Sequence, residues 1–340
     1  MDKLMNALCL IPDAGVKLQK VKQPESAKPG HLLIKMEACA INPGDKAFIN
    51  RPLPFGSVLS LYDVYGVSGA GTVITMGDGV PQAYKGKKVS MYRSLKSSDY
   101  MIGTWCEYAH MHYLDCVILP DDARPEEYAG SLVNIITPFA FLQQVSADGH
   151  KGIISTAGTS ATGIAMLGIC LAVNFPLVSI VRNEAAKKEL AALGATHIAV
   201  QTDPSFQQQL QELSKNLSAT AVFDGAGGEV LNKIIEVIPN NATIYSYGYL
   251  GDATPLIIHT RLLTAKGMTI RPFANFRTET VMNPQLLEKA LQDIGAIIHQ
   301  PHFKTKPGRI FSLPEINDAL AFTPVHGEKA ILLPAEITPP

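Results

Sequence analysis

The sequence has no run of five basic residues, and its 29 Lys and Arg are balanced by 30 Asp and Glu, for a net charge of −1. Because nucleic acids are bound through clustered basic side chains, a nucleic-acid partner is not expected. Charged residues make up only 17% of the chain and hydrophobic residues 46%, which excludes a disordered protein. The 340 residues are enough for two domains of roughly 150 residues each.

Cysteine is scarce, and no C-x-x-C pair occurs. An odd number of scattered cysteines excludes a disulfide framework and a zinc ribbon, and it predicts reduced thiols. The first ten residues have no long apolar stretch and no cleavage site typical of a signal peptide, so we expect a cytoplasmic protein. The five cysteines are Cys9, Cys39, Cys106, Cys116 and Cys170.

Long hydrophobic runs are also few. The longest uncharged stretch, residues 161–181, is long enough to suggest a membrane span. Asn174 and Pro176 interrupt it, however, and the turn residues around them predict a helix followed by a buried strand. No membrane partner is therefore expected.

The first third of the sequence is typical of β structure. Residues 31–39, 69–75 and 88–92 are strand-like, and clusters of Gly, Pro, Asn and Asp separate them. After residue 120, short apolar segments alternate with helical patterns, which predicts a doubly wound parallel sheet covered by helices on both faces. The predicted strands are 152–156, 177–181, 197–200, 219–223, 243–247 and 268–273, and the predicted helices are 163–172, 184–193, 204–217 and 229–238.

The tail of the sequence returns to the first pattern, with a helix near residues 314–322 and a strand at 329–333. The parallel-sheet domain is therefore predicted to be inserted into a β-rich domain, in an α/β fold. We place the β-rich domain at residues 1–122 and 270–340, and the inserted domain at residues 123–269.

A glycine-containing loop joins the first strand of the parallel sheet to its helix. The N–H groups at such a helix start favour a phosphate. Ser160 and Ala161 stand where glycines are usual, but both are small, and the neighbouring hydroxyls add donors. A plain strand–turn–helix is the alternative. The place of the loop in the strand–helix series favours a dinucleotide site formed by Gly158, Thr159, Ser160, Ala161, Thr162 and Gly163.

Arg182 follows the second strand of the parallel sheet. An NAD site usually carries Asp or Glu at this end, whereas an arginine suits the 2′-phosphate of NADP. Arg182, with Lys187 and Lys188 nearby, therefore favours NADP(H). The alternative is a solvated basic helix start, although a helix N-terminus disfavours positive charge.

Eight segments occur in a specific order and spacing: 40–45 (AINPGD), 66–73, 85–89, 103–108, 133–138, 181–183, 193–195 and 227–228. In that order they resemble the medium-chain dehydrogenase/reductase superfamily, and more narrowly its zinc-free quinone oxidoreductase and 2-enoyl thioester reductase branch. The resemblance covers nearly the whole chain. It implies a GroES-like catalytic domain around an inserted Rossmann domain.

The resemblance also implies site residues and an assembly. Many relatives form homodimers through an edge strand of the Rossmann sheet, which here would lie near residues 256–259. The implied cofactor contacts are Asn42, Thr137, the loop at 157–163, Arg182, Gly227, Tyr247 and Phe273.

Zinc-dependent relatives need a cysteine and a Gly-His-Glu, but this sequence has Asn42 and Gly66-Val67-Ser68 at those positions. A catalytic zinc needs three thiolate, imidazole or carboxylate ligands, so no metal is expected. His110 and His112 would share one face of a strand. With no third ligand evident, they are interpreted as surface histidines.

Without zinc, we expect an enzyme that holds a quinone or α,β-unsaturated carbonyl against the nicotinamide of NADPH, with water protonating the product. Orientation alone can lower such a barrier by ~7–11 kcal/mol, and the hydride chemistry belongs to the cofactor. An apolar slot lined by aromatic rings would hold this small molecule. Phe48, Phe55 and Trp105 are the candidates for the slot.

Two alternatives remain. Enoyl thioester reductases of the family carry a proton-donating tyrosine where this sequence has Leu53 or Phe55, so Tyr62 and Tyr65 are the substitute candidates here. The alternative interpretation is that these tyrosines pack in the core of the β-rich domain. The second alternative is an NADPH-binding sensor that has lost turnover, which the incomplete glycine loop and the missing tyrosine motivate.

Overall fold

The computed structural model describes residues 3–49, 60–325 and 327–334. These residues form two compact units, residues 1–134 with 284–340 and residues 135–283. The α/β fold class is confirmed, because one unit is built on a mainly antiparallel sheet and the other on a parallel sheet with helices. The sequence pattern placed the transitions at 122/123 and 269/270. The compact units instead divide at 134/135 and 283/284.

The strands are β1 (Leu4–Ile11), β2 (Gly15–Lys22), β3 (His31–Ala40), β4 (Ser68–Met76), β5 (Lys88–Tyr92), β6 (Tyr108–His112), β7 (Cys116–Ile118), β8 (Gly152–Ser155), β9 (Leu177–Val181), β10 (Ile198–Val200), β11 (Ala219–Asp224), β12 (Thr243–Ser246), β13 (Thr269–Pro272), β14 (Pro307–Ser312) and β15 (Lys329–Leu333). The α-helices are α1 (Pro43–Ile49), α2 (Ser131–Ala147), α3 (Ala161–Val173), α4 (Glu184–Ala192), α5 (Phe206–Asn216), α6 (Gly228–Ile234), α7 (Thr260–Lys266), α8 (Glu279–Met282), α9 (Pro284–Ile297) and α10 (Ile316–Ala321).

The β-rich unit is organised around β3. This strand pairs with β4, β6 and β15, and the sheet runs in the order β14-β15-β3-β4-β5-β7, with β6 off that path. Most of β3 is buried, and seven of its ten residues are apolar. A separate antiparallel hairpin, β1-β2, turns between Ile11 and Gly15. The sequence pattern did not predict this hairpin, because most of β2 is exposed and its alternation is weak.

The second unit contains a six-stranded sheet in the order β10-β9-β8-β11-β12-β13, and every pairing in it is parallel. All six predicted strands are present, each within one residue of its predicted ends. The chain runs outward from β8 to β10 and then returns to β11 beside β8. The β8–β11 border is therefore the point where the strand order reverses, and ligands of open α/β sheets bind there.

The uncharged stretch 161–181 forms a helix and a strand, as predicted. Ser160 caps the N-terminus of α3, and Asn174 ends the helix with a left-handed backbone, φ 53°. The fully buried strand β9 follows. Within the described ranges, no helix combines the length and the apolar character that a membrane crossing needs.

Two long helices and one edge were not predicted correctly. The sequence pattern did not indicate α2, which contains Pro138, or α9. The sheet edge expected near residues 256–259 is wrong: these residues, all within the described part of the chain, form no strand. The edge strand on that side is β13.

Candidate active site

The loop between β8 and α3 is tightly packed. Ser160 Oγ accepts from the Gly163 backbone N–H (3.0 Å) and donates to the Ala157 carbonyl (2.8 Å). A Cβ on Gly158 would lie 2.9 Å from the Ile180 carbonyl oxygen, and one on Gly163 would lie 2.1 Å from the Ala157 carbonyl oxygen. Ser160 is therefore the N-cap of α3, which explains a serine at a position where glycine is usual. The loop presents the N-terminus of a 13-residue helix at the point where the strand order reverses.

A buried hydrogen bond joins the two strands at this border. Thr156 Oγ1, just after β8, donates to Asp224 Oδ1 at the end of β11, at 2.7 Å. The same threonine oxygen accepts from the backbone N–H groups of Gly225 (3.1 Å) and Ala226 (3.2 Å). Asp224 Oδ1 also accepts from the Gly227 N–H at 3.0 Å. Thr156 therefore ties the two loops of the crevice together.

Tyr247 lies across the second of these loops. Its ring stacks on Phe223, with centroids 3.9 Å apart, and a Cβ on Gly225 would lie 2.2 Å from the tyrosine oxygen. Glycine is required at position 225 because the ring occupies the space of a side chain. Burial raises the pKa of Tyr247; the nearby Ser160 hydroxyl opposes this shift, and Asp224 adds to it.

Three buried polar atoms at the ends of adjacent strands have no hydrogen-bond partner among the described residues. They are Ser155 Oγ, Asp224 Oδ2 and Tyr247 Oη. Buried polar atoms are normally paired. An unpaired donor and acceptors beside a helix N-terminus fit a polar ligand such as a dinucleotide, so the residues present agree with the predicted cofactor.

Arg182 is exposed at the end of β9 and makes no ion pair with the described residues. The next residue, Asn183, caps α4 by accepting from the Ala186 N–H at 3.0 Å. Lys187 Nζ lies 3.4 Å from Glu184 Oε1, so the Glu184 carboxylate offsets the charge of this lysine. Arg182 and Lys188 are therefore the cations of this group without an ion pair among the described residues, and Arg182 lies at the strand end where NADP sites place the 2′-phosphate. Gly227 has a left-handed backbone, φ 64°, and open space on its Cβ side.

Thr137 and Phe273 belong to the same unit but to another part of it. Thr137 Oγ1 accepts from Asn275 Nδ2 at 2.8 Å. Asn275 is buried, and the sequence analysis did not select it. Phe273 is also buried, and its ring packs edge-on against Phe141 with centroids 5.2 Å apart.

In the β-rich unit, Asn42 is the centre of a buried polar cluster. Its Nδ2 donates to Asp45 Oδ2 (2.9 Å) and to Ser68 Oγ (2.9 Å), so both amide hydrogens are used. Its Oδ1 accepts from Lys329 Nζ at 2.7 Å. Oδ1 can therefore accept one further hydrogen bond, whereas Nδ2 has no hydrogen left to donate.

Lys329 was not selected from the sequence, because a lone lysine at the start of a strand has no recognisable motif. It is 7% exposed, and burial lowers the pKa of its amine from 10.5 to about 8, against the opposing charge of Asp45. Its stem crosses Gly130, where an added Cβ would lie 2.9 Å from Lys329 Cε. A residue without a side chain at position 130 thus leaves the space through which the Lys329 amine reaches Asn42.

Asp45 and Arg93 complete this cluster, and both are almost fully buried. Burial raises the pKa of Asp45, although its bonds to Asn42 oppose the shift. Burial also lowers the pKa of Arg93, which the Asp45 charge opposes. Arg93 Nη1 donates to the Val64 carbonyl at 3.2 Å. Asp45 Oδ1 has no partner among the described residues.

The two candidate proton donors have different surroundings. Tyr65 is 3% exposed, and its hydroxyl donates to the Asp45 backbone carbonyl at 2.9 Å. Tyr62 is 46% exposed and has a left-handed backbone, φ 61°, which a non-glycine residue adopts at a cost. Tyr65 is therefore held in a structural contact, whereas Tyr62 is accessible.

The three candidates for an aromatic slot are not alike. Phe48, on α1, is 37% exposed. Trp105 is fully buried: it packs edge-on against Tyr65, and its Nε1 donates to the Ala40 carbonyl at 3.4 Å. Trp105 is thus a core residue of this unit. Phe55 lies outside the described residues.

The interpretation of His110 and His112 as surface histidines is wrong for His110, which is 3% exposed. Its ring nitrogens pair with the Lys28 backbone N–H (3.0 Å) and the Tyr100 carbonyl (2.8 Å). Burial lowers the pKa of both histidines to about 4. Across residues 3–49, 60–325 and 327–334, no group of three His, Cys, Asp or Glu side chains has an arrangement that could hold a metal.

Comparison with known families assigns both units. Residues 28–121 match the alcohol dehydrogenase GroES-like domain, and residues 161–292 match the zinc-binding dehydrogenase family. The two matches together cover more than half of the chain. The chain belongs to the medium-chain dehydrogenase/reductase superfamily. This confirms the resemblance read from the sequence, with a GroES-like domain and a Rossmann-type domain.

The sequences of individual relatives differ widely from the sequence of this chain. The human synaptic vesicle membrane protein VAT-1 homolog is 26% identical over 240 residues, which are 68% of this chain and 57% of that protein. The mitochondrial enoyl-[acyl-carrier-protein] reductase of Caenorhabditis elegans is 28% identical over 242 residues, 68% of this chain and 66% of that protein. The match thus spans little more than half of the first relative and just under two thirds of the second.

Among solved structures, a Mesorhizobium loti protein assigned as an NADPH:quinone reductase superposes with a TM-score of 0.71. It is 23% identical, and the match covers 98% of each chain. This likeness shows the shared fold.

Proposed function

We propose that this protein is an oxidoreductase that binds NADPH and transfers its hydride to a quinone or an α,β-unsaturated carbonyl without zinc. The observation that carries the proposal is the crevice between β8 and β11, where a helix N-terminus meets the unpaired oxygens of Asp224 and Tyr247. Arg182, exposed at the end of the next strand, supplies a cation for the 2′-phosphate. The bound cofactor would supply the hydride.

Each group of the crevice has a distinct role in this proposal. The N-terminus of α3 favours the pyrophosphate, and Gly158 and Gly163 keep the loop close to the sheet. Tyr247 Oη is a donor inside the crevice, and Thr156 holds the two loops at a fixed separation. The residues therefore bind and orient the reactants, which is the main demand that quinone reduction makes on a protein.

The second candidate is a 2-enoyl thioester reductase. The Caenorhabditis elegans relative, an enoyl-[acyl-carrier-protein] reductase, favours it. Of the two tyrosines considered as proton donors, Tyr62 has the accessible side chain, whereas the Tyr65 hydroxyl is used within the core. We further expect a cytoplasmic homodimer that forms through an edge strand of the parallel sheet, for which β13 is one of the two candidates.

Titration of the purified protein with NADPH and NADH, followed by nicotinamide fluorescence, tests the cofactor assignment. Wild type is expected to bind NADPH more tightly, and Arg182→Ala should lose most of that preference. The matched control is Lys215→Ala, an exposed lysine on α5 outside this basic group, which should retain the preference. Equal binding of both cofactors by wild type would refute the NADP assignment, and binding of neither would refute the reductase itself.

A panel of quinones, enones and enoyl thioesters then separates the candidates. Turnover of a quinone or enone supports the leading proposal. Turnover of an enoyl thioester that is lost in Tyr62→Phe supports the second. NADPH binding without oxidation by any acceptor supports the sensor alternative.

A further inference from the structure

A cavity of about 330 Å³ lies beside the end of β13, in the parallel-sheet unit. Its lining includes Gln144 from α2, Arg271 from the strand, and Phe273, Arg277 and Thr278 from the segment that follows. This volume lies at the lower end of the range for small-molecule pockets. The cavity is separate from the crevice at the β8–β11 border, which is lined by other loops.

The charged side chains that line the cavity are both arginines, and one of them, Arg271, is paired with Asp148, which is not among the lining residues. None of the lining residues is acidic. Arg277 is exposed and makes no ion pair with the described part of the chain; its guanidinium lies 5.9 Å from the centre of the Phe276 ring. A guanidinium without a carboxylate partner is available for an anion from outside the protein.

Arg271 is held in place before any ligand binds. Its Nη2 lies 2.7 Å from Asp148 Oδ2, and its guanidinium lies 4.5 Å from the centre of the Tyr245 ring. Tyr245 Oη donates to the same Asp148 oxygen at 3.0 Å. One contact with Asp148 leaves other N–H donors of this five-donor group unused. The carboxylate thus orients Arg271 without saturating it.

One side of the cavity is formed by the buried aromatic ring of Phe273. This ring packs against Phe141, which in turn packs against Phe223 with centroids 4.4 Å apart. Phe223 is the ring on which Tyr247 stacks at the crevice. A continuous row of aromatic rings therefore runs from the crevice to the cavity within one unit.

We propose that this cavity binds an anionic group, a phosphate or a carboxylate, at the end of the substrate remote from the reacting double bond. This inference rests on the proposed reductase function and deepens it. A neutral quinone carries no charge that would pair with the Arg277 guanidinium, whereas an acyl thioester on a phosphate-bearing carrier, or an enone with a carboxylate tail, does. Charge-assisted bonds from arginine would then select these substrates over neutral ones of equal reactivity.

Two matched pairs of substrates test the proposal and separate the sources of the anion. Crotonyl-coenzyme A carries phosphates, and crotonyl-N-acetylcysteamine is its neutral counterpart; 4-oxo-2-pentenoate carries a carboxylate, and 3-penten-2-one does not. In Arg277→Gln, kcat/KM for at least one charged substrate should fall about tenfold, as expected for one lost charge-assisted bond. The neutral member of the pair should be unaffected. The control is Arg261→Gln, an exposed arginine on α7 that does not line the cavity.

Equal losses for charged and neutral substrates, or no loss for either charged substrate, would overturn the proposal. Whether the phosphate or the carboxylate substrate responds identifies the anion. Arg277 is the primary site for substitution because Arg271 packs on Tyr245, and its loss could unfold the unit.

A binding experiment keeps this inference separable from the function. With NADPH saturating, coenzyme A is titrated into wild type and Arg277→Gln by calorimetry. Binding that weakens in the variant supports the cavity even if no thioester is reduced, whereas binding that is absent, or equal in both proteins, overturns a phosphate site. Failure of NADPH itself to bind is a failure of the proposed function instead.

Discussion

Thr156 Oγ1 donates a buried hydrogen bond of 2.7 Å to Asp224 Oδ1, and this bond joins the ends of β8 and β11. Thr156→Val keeps the shape of the side chain but removes this donor and the acceptor for two backbone N–H groups. We expect a loss of about 2 kcal/mol in unfolding free energy, because buried groups are left unpaired, and weaker NADPH binding. Urea unfolding and fluorescence titration measure the two effects. The exposed Thr264→Val on α7 should change neither, and a Thr156→Val protein as stable as wild type would contradict this reading.

Gly225 and Tyr247 are expected to depend on each other. In Gly225→Ala the new Cβ would lie 2.2 Å from the tyrosine oxygen, so the ring must leave Phe223, at a cost of about 2 kcal/mol from overpacking. Adding Tyr247→Ala removes the obstruction, so Gly225→Ala should cost much less in that background. A double-mutant cycle on unfolding free energy measures this coupling.

The control for the Gly225 substitution is Gly295→Ala in α9, where the nearest atom would be 3.5 Å away. It should be tolerated. If Gly225→Ala costs the same with and without Tyr247, the ring is not what excludes a side chain at this position.

The two tyrosines considered as proton donors should respond differently to loss of their hydroxyls. Tyr65→Phe should lower the unfolding free energy by about 1 kcal/mol, because it breaks the bond to the Asp45 carbonyl. Tyr62→Phe should leave stability unchanged, since its side chain is 46% exposed. Neither should change kcat for a quinone if water is the proton source. A large fall in kcat for Tyr62→Phe, with an enoyl thioester as substrate, would favour the alternative reaction.

Lys329 should make the stability of the protein depend on pH above neutrality. Its pKa is about 8 in the folded protein against 10.5 as the ordinary value, so between these pH values the unfolded chain binds more protons. The contribution of Lys329 to the unfolding free energy therefore rises with pH across that window, by up to about 3 kcal/mol in all. Below pH 8 the amine is charged in both states, and the full cost of burying it is present.

Lys329→Met removes this pH dependence. The unfolding free energy of wild type minus that of the variant should increase between pH 8 and pH 10, because all other groups cancel in the difference. Lys20→Met, an exposed lysine on β2, should give a difference that is flat with pH. A flat difference for Lys329→Met as well would show that the buried amine titrates normally.

Removal of metal should not affect turnover. Asn42 and Ser68 stand where zinc-dependent relatives have ligands, and here the two side chains are hydrogen-bonded to each other at 2.9 Å. An amide and a hydroxyl do not form a catalytic zinc site. Activity is expected to survive extended dialysis against a chelator, with metal content followed by elemental analysis. Loss of activity that zinc restores would sink the zinc-free assignment.

Local signals in the sequence were sufficient for the parallel sheet. Its strands are short, mostly uncharged and bounded by turn residues, which is the composition expected of strands covered on both faces. The sequence was less informative where a strand is mostly exposed, as in β2, or where proline obscures a helix, as at Pro138 in α2. At such positions tertiary packing outweighs local propensity.

The sequence by itself determined the six strands of the parallel sheet, the glycine-containing loop before α3, and the placing of Arg182 after a strand, because each depends on neighbours a few residues away. Only the tertiary structure decided that Lys329 reaches Asn42, 287 positions earlier in the chain. It also decided that Tyr65 is held in the core while Tyr62 is exposed. Contacts between distant segments depend on how sheets pair and pack, and no local pattern of residues encodes that pairing.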